Sequence, residues 1–248
     1  MTDVQKRVIS PKDFRSAGSS TVRFNVETED IRPTPEAVAR YFGGPEYQMT
    51  PETYQRVCQG IQLAVKMVDA VVCYRAIPLD KIEEECGIVL SECSYTDILP
   101  DSTDGHARYF AAYVGTLGSA LESRCRDLAS NNSIYQSLLL DAVGTAMLDV
   151  MGLMCNDMLE MHSRQMGLFT GCRLGPGLNG ISLESQALLF DLLEDDSAGV
   201  HLNEAFIMQP AKSISGFVIY SDSAQRKPSG GKCRQCAMKH CQFRATSH

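Results

Sequence analysis

The sequence predicts an α+β protein in which a twisted, largely antiparallel sheet packs with helices, one of them long and buried. Three observations predict this class. Segments rich in β-branched and aromatic residues alternate with amphipathic segments, residues 133–161 are apolar on nearly every side, and the alternation has no regular βαβ period. A regular βαβ period would instead indicate a parallel sheet.

The first two helices are predicted from their starts. Thr34-Pro35-Glu36 and Thr50-Pro51-Glu52 each place a capping threonine before a proline at the first helical position. The glutamate that follows suits the positive end of the helix dipole. The second helix has an apolar stripe with amphipathic spacing, formed by Tyr54, Val57, Cys58, Ile61, Ala64, Val65 and Val68.

Two strands, a turn and a helix are predicted next. Residues 71–78 (VVCYRAIP) are β-branched and end in proline, which favours a strand, and residues 107–118 (ARYFAAYVGTLG) form a second strand that ends in a glycine turn. The following segment, SALESRCRDLA, places Leu121, Cys125 and Leu128 on one face of a helix.

Residues 133–161 are predicted to form a central helix of roughly 40 Å, at about 1.5 Å per residue. Asp141, Asp149 and Asp157 interrupt the apolar sequence at regular intervals. A carboxylate near the centre of a bilayer is costly, so the sequence favours a buried core helix and no membrane partner.

The last third of the chain predicts a turn, a helix and two strands. The turn is GCRLGPGLNG (residues 171–180), and the capped helix is SLESQALLFDLLE, with Leu183, Ala187, Leu188 and residues 190–193 on its apolar side. Residues 203–222 predict two short strands joined near residues 209–212. We divide the chain into an N-terminal helical and β region (1–106), an α+β core (107–222), and a flexible linker with a cysteine-rich tail (223–248).

Composition disfavours several classes of protein. The formal net charge of −7 disfavours nucleic acid as a partner, because that affinity comes from basic side chains that neutralise phosphates. The N-terminal sequence lacks the apolar segment of a signal peptide, so we expect a cytoplasmic protein whose ten cysteines are reduced thiols or metal ligands.

Familiar catalytic signatures are absent from the sequence. It contains no P-loop, no Rossmann glycine fingerprint, no HExxH and no GxSxG. His106 lies in a polar loop, His162 follows the predicted long helix, and His201 lies beside an apolar turn. None has a visible partner in sequence, which is typical of surface or core histidines and not of a catalytic base.

The C-terminal tail is a candidate metal site. Cys233, Cys236 and Cys241 have the spacing Cys-x2-Cys-x4-Cys, which can bring three soft thiolates to one centre. An iron–sulfur cluster, zinc and no metal at all remain open. His240, another cysteine or a partner group could supply a fourth ligand.

Three segments in a fixed order resemble a known family. GCRLGPGLNG, the helix SLESQALLFDLLE and the segment NEAFIMQPAKSISG (residues 203–216) are similar to the activation, or reactivation, domain of cobalamin-dependent methionine synthase. In that family an Arg-x-x-Pro-Gly-Tyr loop precedes a helix and a T-E-S-x-x-M-x-P-x-x-S-V-S-G segment. The cysteine-rich end resembles stand-alone members of the family.

The resemblance implies a role in rescuing oxidised cobalamin during methionine biosynthesis. Such a domain presents S-adenosylmethionine to the cobalt of a methyltransferase, while a donor such as flavodoxin or ferredoxin supplies an electron. The cofactor- and ligand-binding residues that the resemblance implies are Arg173, Gly175, Pro176, Gly177, Leu178, Glu204, Ser213 and Ser215. Arg173 would hold the carboxylate of S-adenosylmethionine.

This chain departs from the family pattern at three points. Leu178 replaces the loop tyrosine that lies close to the corrin, Thr145 replaces an acidic residue expected four positions after Asp141, and no tyrosine pair follows the last strands. The chain also lacks an Asp-x-His-x-x-Gly sequence, so the resemblance implies that a separate corrinoid methyltransferase carries the cobalamin. The alternative is a non-catalytic, metal-binding docking module for such a protein.

Overall fold

The computed structural model describes residues 20–44, 46–79, 107–178, 181–194 and 197–223. Five helices and a short 3-10 turn, Leu183–Ser185, are present in these ranges. The helices are α1 (Pro35–Gly43), α2 (Pro51–Met67), α3 (Ala120–Ser130), α4 (Ile134–Gln165) and α5 (Gln186–Leu192). The strands are β1 (Val22–Asn25), β2 (Val71–Pro78), β3 (Ala107–Thr116), β4 (Phe169–Thr170), β5 (His201–Leu202), β6 (Met208–Gln209) and β7 (Ser213–Ser221).

Five strands form one antiparallel sheet in the order β1-β2-β3-β7-β4. Strands β2 and β3 pair along their lengths, from Val71 opposite Thr116 to Pro78 opposite Tyr109. Strand β7 continues the sheet on the other side of β3. The α+β class with an antiparallel sheet is therefore confirmed, and β1 and β2 share this sheet with strands of the predicted core. The predicted boundary at residue 106 lies outside the described residues.

The two faces of the sheet follow from the alternation of side chains along each strand. Val72, Tyr74 and Ala76 point to the layer of α1, α2 and α4, whereas Ile77 of the same strand packs with Leu188 of α5 on the other face. Helices thus cover both faces, and each face has its own apolar core.

Helix α4 is the central element of the larger core. It has 32 residues, and this length and hydropathy would be enough to cross a membrane. More than half of its most apolar window is buried inside the protein, where it packs with α1, α2, α3 and the sheet. Asp141, Asp149 and Asp157 are all exposed. The prediction of a long core helix is confirmed.

Local sequence signals placed two helix starts correctly and one cap wrongly. The Thr34 side chain accepts a hydrogen bond from the backbone N–H of Ala37, and Thr50 accepts one from Thr53. The helix predicted from SLESQALLFDLLE starts instead with the 3-10 turn, and the Ser182 side chain makes no capping hydrogen bond. Leu183, expected on its apolar side, is exposed.

The two strands predicted within residues 203–222 do not form a hairpin with each other. The first, β6, is two residues long and pairs with β5 in a separate small sheet. The second, β7, has nine residues and lies between β3 and β4. Strand β5, which begins at His201, was not predicted because two residues carry no periodic signal.

Candidate functional site

The loop that carries Arg173 lies along the edge of the main sheet. After α4 the chain turns at Gly167, whose φ of 73° is in the left-handed region, and β4 then pairs with the end of β7. The chain continues beside β7, because Leu174 and Phe217 exchange two backbone hydrogen bonds of 2.9 Å. Residues 171–175 are thereby held against residues 215–219 of β7.

Two glycines lie where the loop approaches β7, and one of them is required for the approach. At Gly216 of β7 a Cβ atom would lie 2.8 Å from the carbonyl oxygen of Leu174 and 2.7 Å from the hydroxyl of Tyr113. At Gly175 it would lie 3.5 Å from the carbonyl oxygen of Ser215. Gly216 is therefore required for the loop to lie against the strand, whereas Gly175 contributes only an ordinary van der Waals contact.

The Arg173 side chain lies against the middle of α4. A Cβ atom at Gly152 would overlap Nη1 of Arg173 and would lie 2.9 Å from Cδ1 of Ile214. Arg173 is half-buried, and it forms no salt bridge with a carboxylate in the described ranges. A cation in this position is available to an anionic group of a ligand.

Neutral groups surround the Arg173 guanidinium on its buried side. Burial raises the pKa of the Cys155 thiol to about 12, and the Arg173 charge opposes this rise. Burial also raises the pKa of the Tyr113 hydroxyl well above its usual range, again against the effect of Arg173. Both groups are uncharged near neutral pH and leave the arginine charge uncompensated.

The tip of the loop presents an apolar side chain to solvent. Gly177 has a φ of 76°, and the backbone N–H of Leu178 donates to the carbonyl of Gly175 at 3.1 Å, which closes a tight turn. The Leu178 side chain is 60% exposed and that of Leu183 is 38% exposed. Cδ1 of Leu183 would lie 3.5 Å from a Cβ atom at Gly177, so the two leucines belong to the same surface. Pro176 is half-buried within the turn. Exposed apolar side chains that lie close together are a feature of binding surfaces.

The structure separates the remaining predicted residues from Arg173. Ser215 Oγ donates to Oε1 of Gln186 at 2.8 Å, on the face of the sheet that packs with α5. Ser213 Oγ is bonded to the carbonyl of Pro210 at 2.7 Å and lies 2.9 Å from the Thr116 hydroxyl. Glu204 is exposed in a turn. Their ligand-binding role remains a prediction, and both serine hydroxyls already have structural partners.

The pattern of the family described as "Vitamin B12 dependent methionine synthase, activation domain" matches residues 81–235, which is more than half of the chain. The chain belongs to this family. A crystal structure titled as the MetH reactivation domain bound to AdoHcy is similar in fold, with a TM-score of 0.60 and 13% sequence identity. The match covers 84% of this chain and 80% of that chain. No curated protein matches this chain.

Lys212 was not identified from the sequence as part of the candidate site of this activation domain. Lys212, just before β7, places its Nζ 2.8 Å from Oδ1 of Asp141 and 2.9 Å from the hydroxyl of Thr145. Its side chain is only 12% exposed. Thr145 is the position where the family resemblance implies an acidic residue, and here it binds an ammonium group. A contact between residues so far apart in sequence leaves no local signal.

Gly152, in contrast, could have been found. A glycine inside a helix is less favourable than alanine by about 1 kcal/mol, so one in the middle of a long helix indicates close packing.

A separate cleft of ≈ 450 Å³ between α2, α3 and α4 contains Arg56, Arg124, Tyr135 and Leu139. No predicted site residue of the activation domain lines this cleft.

The structure describes two of the predicted histidines, His162 and His201, but not the cysteine-rich tail. His162 lies in the last turn of α4 and not after it, and it is buried between the rings of Tyr74 and Tyr220. It is a core histidine, as predicted, while His201 is exposed. His106, Cys233, Cys236, Cys241 and the linker lie outside the described residues. Within those residues there is no group of three side chains that could hold a metal ion.

Proposed function

We propose that this chain reactivates the cobalamin of a separate methionine synthase or related corrinoid methyltransferase in the cytoplasm. Membership of the activation-domain family supports the cobalamin context. The observation that carries the proposal is the position of Arg173, which is half-buried, has no carboxylate partner among the described residues, and belongs to the same loop as the exposed Leu178. In this proposal Arg173 binds the carboxylate of S-adenosylmethionine and Leu178 contacts the corrin.

The reaction requires one electron and one methyl group. An external donor reduces cob(II)alamin to cob(I)alamin, and the reduced cobalt takes the methyl group as the carbon–sulfur bond of S-adenosylmethionine breaks. S-adenosylhomocysteine leaves with the electron pair of that bond. The chain contributes orientation of the methyl donor and exclusion of water, while the cobalamin supplies the chemistry.

The electron donor belongs to the same proposal. A flavodoxin or ferredoxin could supply the electron directly, or through an iron–sulfur cluster on Cys233, Cys236 and Cys241. These cysteines follow a segment that contains glycine and serine, SAQRKPSGGK. Anaerobically prepared protein that contains iron and sulfide in stoichiometric amounts would support the cluster. Protein that contains zinc or no metal would remove the cluster from the proposal.

The test is a reconstitution under anaerobic conditions. The full chain is mixed with a cob(II)alamin-loaded methyltransferase, a reductant and S-adenosylmethionine, and the visible spectrum is followed. We expect the methylcobalamin spectrum to develop with the wild-type chain and more slowly with Arg173→Ala. Arg164→Ala is the matched control, because Arg164 is an exposed arginine that pairs with Glu160. Equal rates for the wild-type and Arg173→Ala chains would contradict the proposal.

A second function is favoured by the occupied Thr145 and by the leucine at position 178. Because Lys212 already binds Thr145, and because the family tyrosine is absent, the chain could dock on a corrinoid protein without presenting a methyl donor. Co-elution with the methyltransferase in size-exclusion chromatography, together with the absence of methylcobalamin and of S-adenosylmethionine binding, would favour this docking module.

A further inference from the structure

The side chains of Lys212 and Arg173 both lie against α4, at Gly144 and at Gly152. Cε of Lys212 would be 3.2 Å from a Cβ at Gly144, and Cδ1 of Ile214 would be 2.9 Å from a Cβ at Gly152, where Arg173 also lies. Ile214 therefore lies beside Arg173, and Lys212 lies about two turns closer to the start of α4. We call Arg173, Ile214, Lys212, Thr145 and Asp141 the charge strip.

The geometry of α4 fixes how far apart the two ends of the strip are. Thr145 and Gly152 are seven residues apart, which corresponds to about 10 Å along the axis and to nearly the same side of the helix. An extended adenosyl amino acid is longer than this, so its amino-acid part and its sulfur can lie within the strip. A ligand whose carboxylate is bound by Arg173 can therefore extend along the strip towards Thr145.

The charges of the strip are arranged against a cationic ligand. At the far end, Asp141 is paired with Lys212, and the nearby Glu122 accepts a hydrogen bond from the backbone N–H of Ala211 at 3.0 Å. At the near end Arg173 has no carboxylate partner in the part of the chain that the structure describes. A positively charged ligand group on the strip would meet the Arg173 guanidinium, which has no carboxylate partner among the described residues, and the Asp141 carboxylate, which Lys212 already binds.

We propose that this site selects its adenosyl ligand by charge and binds a neutral thioether more tightly than a sulfonium. The inference rests on the proposed function, since it requires that Arg173 holds the carboxylate of an adenosyl amino acid. It deepens that function, because S-adenosylhomocysteine, the product of methyl transfer, then competes with S-adenosylmethionine and restrains repeated reactivation.

Coulomb's law gives the size of the preference. With the carboxylate on Arg173, the sulfur of the ligand lies roughly 7 Å from the guanidinium, which weakens sulfonium binding by about threefold at the dielectric of water and by about fiftyfold at an effective dielectric of about 20. For a half-exposed site we expect S-adenosylhomocysteine to bind about threefold to tenfold more tightly.

The experiment is calorimetric titration of the full chain with S-adenosylmethionine and with S-adenosylhomocysteine. Two variants accompany the wild type. Thr145→Glu adds a carboxylate at the lysine end of the strip, and Thr145→Gln adds a side chain of the same size without charge. We expect Thr145→Glu to cancel or reverse the preference for the thioether, and Thr145→Gln to keep it. Both residues are good helix formers, so α4 should remain intact.

The outcomes separate this inference from the function on which it rests. Tighter binding of S-adenosylhomocysteine, with the reversal confined to Thr145→Glu, supports charge selection. Equal or tighter binding of S-adenosylmethionine by the wild type overturns charge selection and leaves the reactivation proposal in place. If neither ligand binds, with or without the cobalamin protein present, the ligand site itself is wrong and both are overturned.

Discussion

Replacing Gly152 with alanine should weaken ligand binding while leaving the fold intact. The new Cβ would overlap Nη1 of Arg173 and lie 2.9 Å from Cδ1 of Ile214, and both atoms end flexible side chains. Both side chains can therefore move away from the new methyl group. The Arg173 guanidinium would then leave the position in which it is available to a ligand carboxylate.

Two opposing terms set the stability of the Gly152→Ala variant. Alanine gains about 1 kcal/mol over glycine in the interior of a helix. Inserting a methyl group into a packed site costs about 1–3 kcal/mol, and the lower end applies where flexible side chains can yield. The net change in the free energy of unfolding should therefore be within about 1 kcal/mol of zero.

The change in ligand affinity should be larger than the change in stability. A hydrogen bond to a charged group contributes about 1.5–3 kcal/mol, so its loss should weaken S-adenosylhomocysteine binding by about tenfold to hundredfold. Urea denaturation measures the first quantity and calorimetry the second. Gly60→Ala is the control, because its Cβ would meet Cδ2 of Leu139 at 2.6 Å, away from Arg173. Wild-type affinity in Gly152→Ala, together with weak binding in Arg173→Ala, would refute this explanation.

Three further predictions concern stability. Thr50→Ala removes the hydrogen bond that caps α2 and should lower the free energy of unfolding by about 1 kcal/mol, measured by urea denaturation; no change would mean that the cap is replaced by water. Gly216→Ala should cost more, about 1–3 kcal/mol or above, because the new Cβ meets the Leu174 carbonyl, which cannot move without breaking the edge of the sheet. Burial lowers the pKa of His162 in the folded chain, so the unfolded chain binds more protons below about pH 6.5. The free energy of unfolding should therefore fall as the pH is lowered from 6.5 towards the folded pKa. A His162→Asn variant that keeps the same pH dependence would contradict this.

Signals confined to a few neighbouring residues predicted much of the fold. The threonine and proline that start α2 act within a single turn, so they could be recognised without knowledge of the rest of the chain. The apolar composition of α4 likewise indicated a helix surrounded by protein. By contrast, β5 could not be predicted, because two residues have no period and its pairing with β6 depends on a turn.

The site shows the same division between local and long-range information. Arg173 and the glycines of its loop were identified from a contiguous motif. The contact of Arg173 with Gly152 and the ion pair between Lys212 and Asp141 join residues that are far apart in sequence, so only the fold reveals them. Ser215 was included because it lies in the family segment of residues 203–216, yet strand alternation directs its hydroxyl to the face of the sheet that packs with α5.

The most direct measurement follows the methyl group itself. S-adenosylmethionine labelled in its methyl group is incubated anaerobically with reductant, a cob(II)alamin-loaded methyltransferase and either the wild-type chain or Arg173→Ala, and the label bound to the cobalamin protein is counted. If the chain reactivates cobalamin, label should accumulate with the wild type, should fall about tenfold or more with Arg173→Ala, and should be absent without the chain. Label that accumulates equally in all three samples would contradict reactivation by this protein.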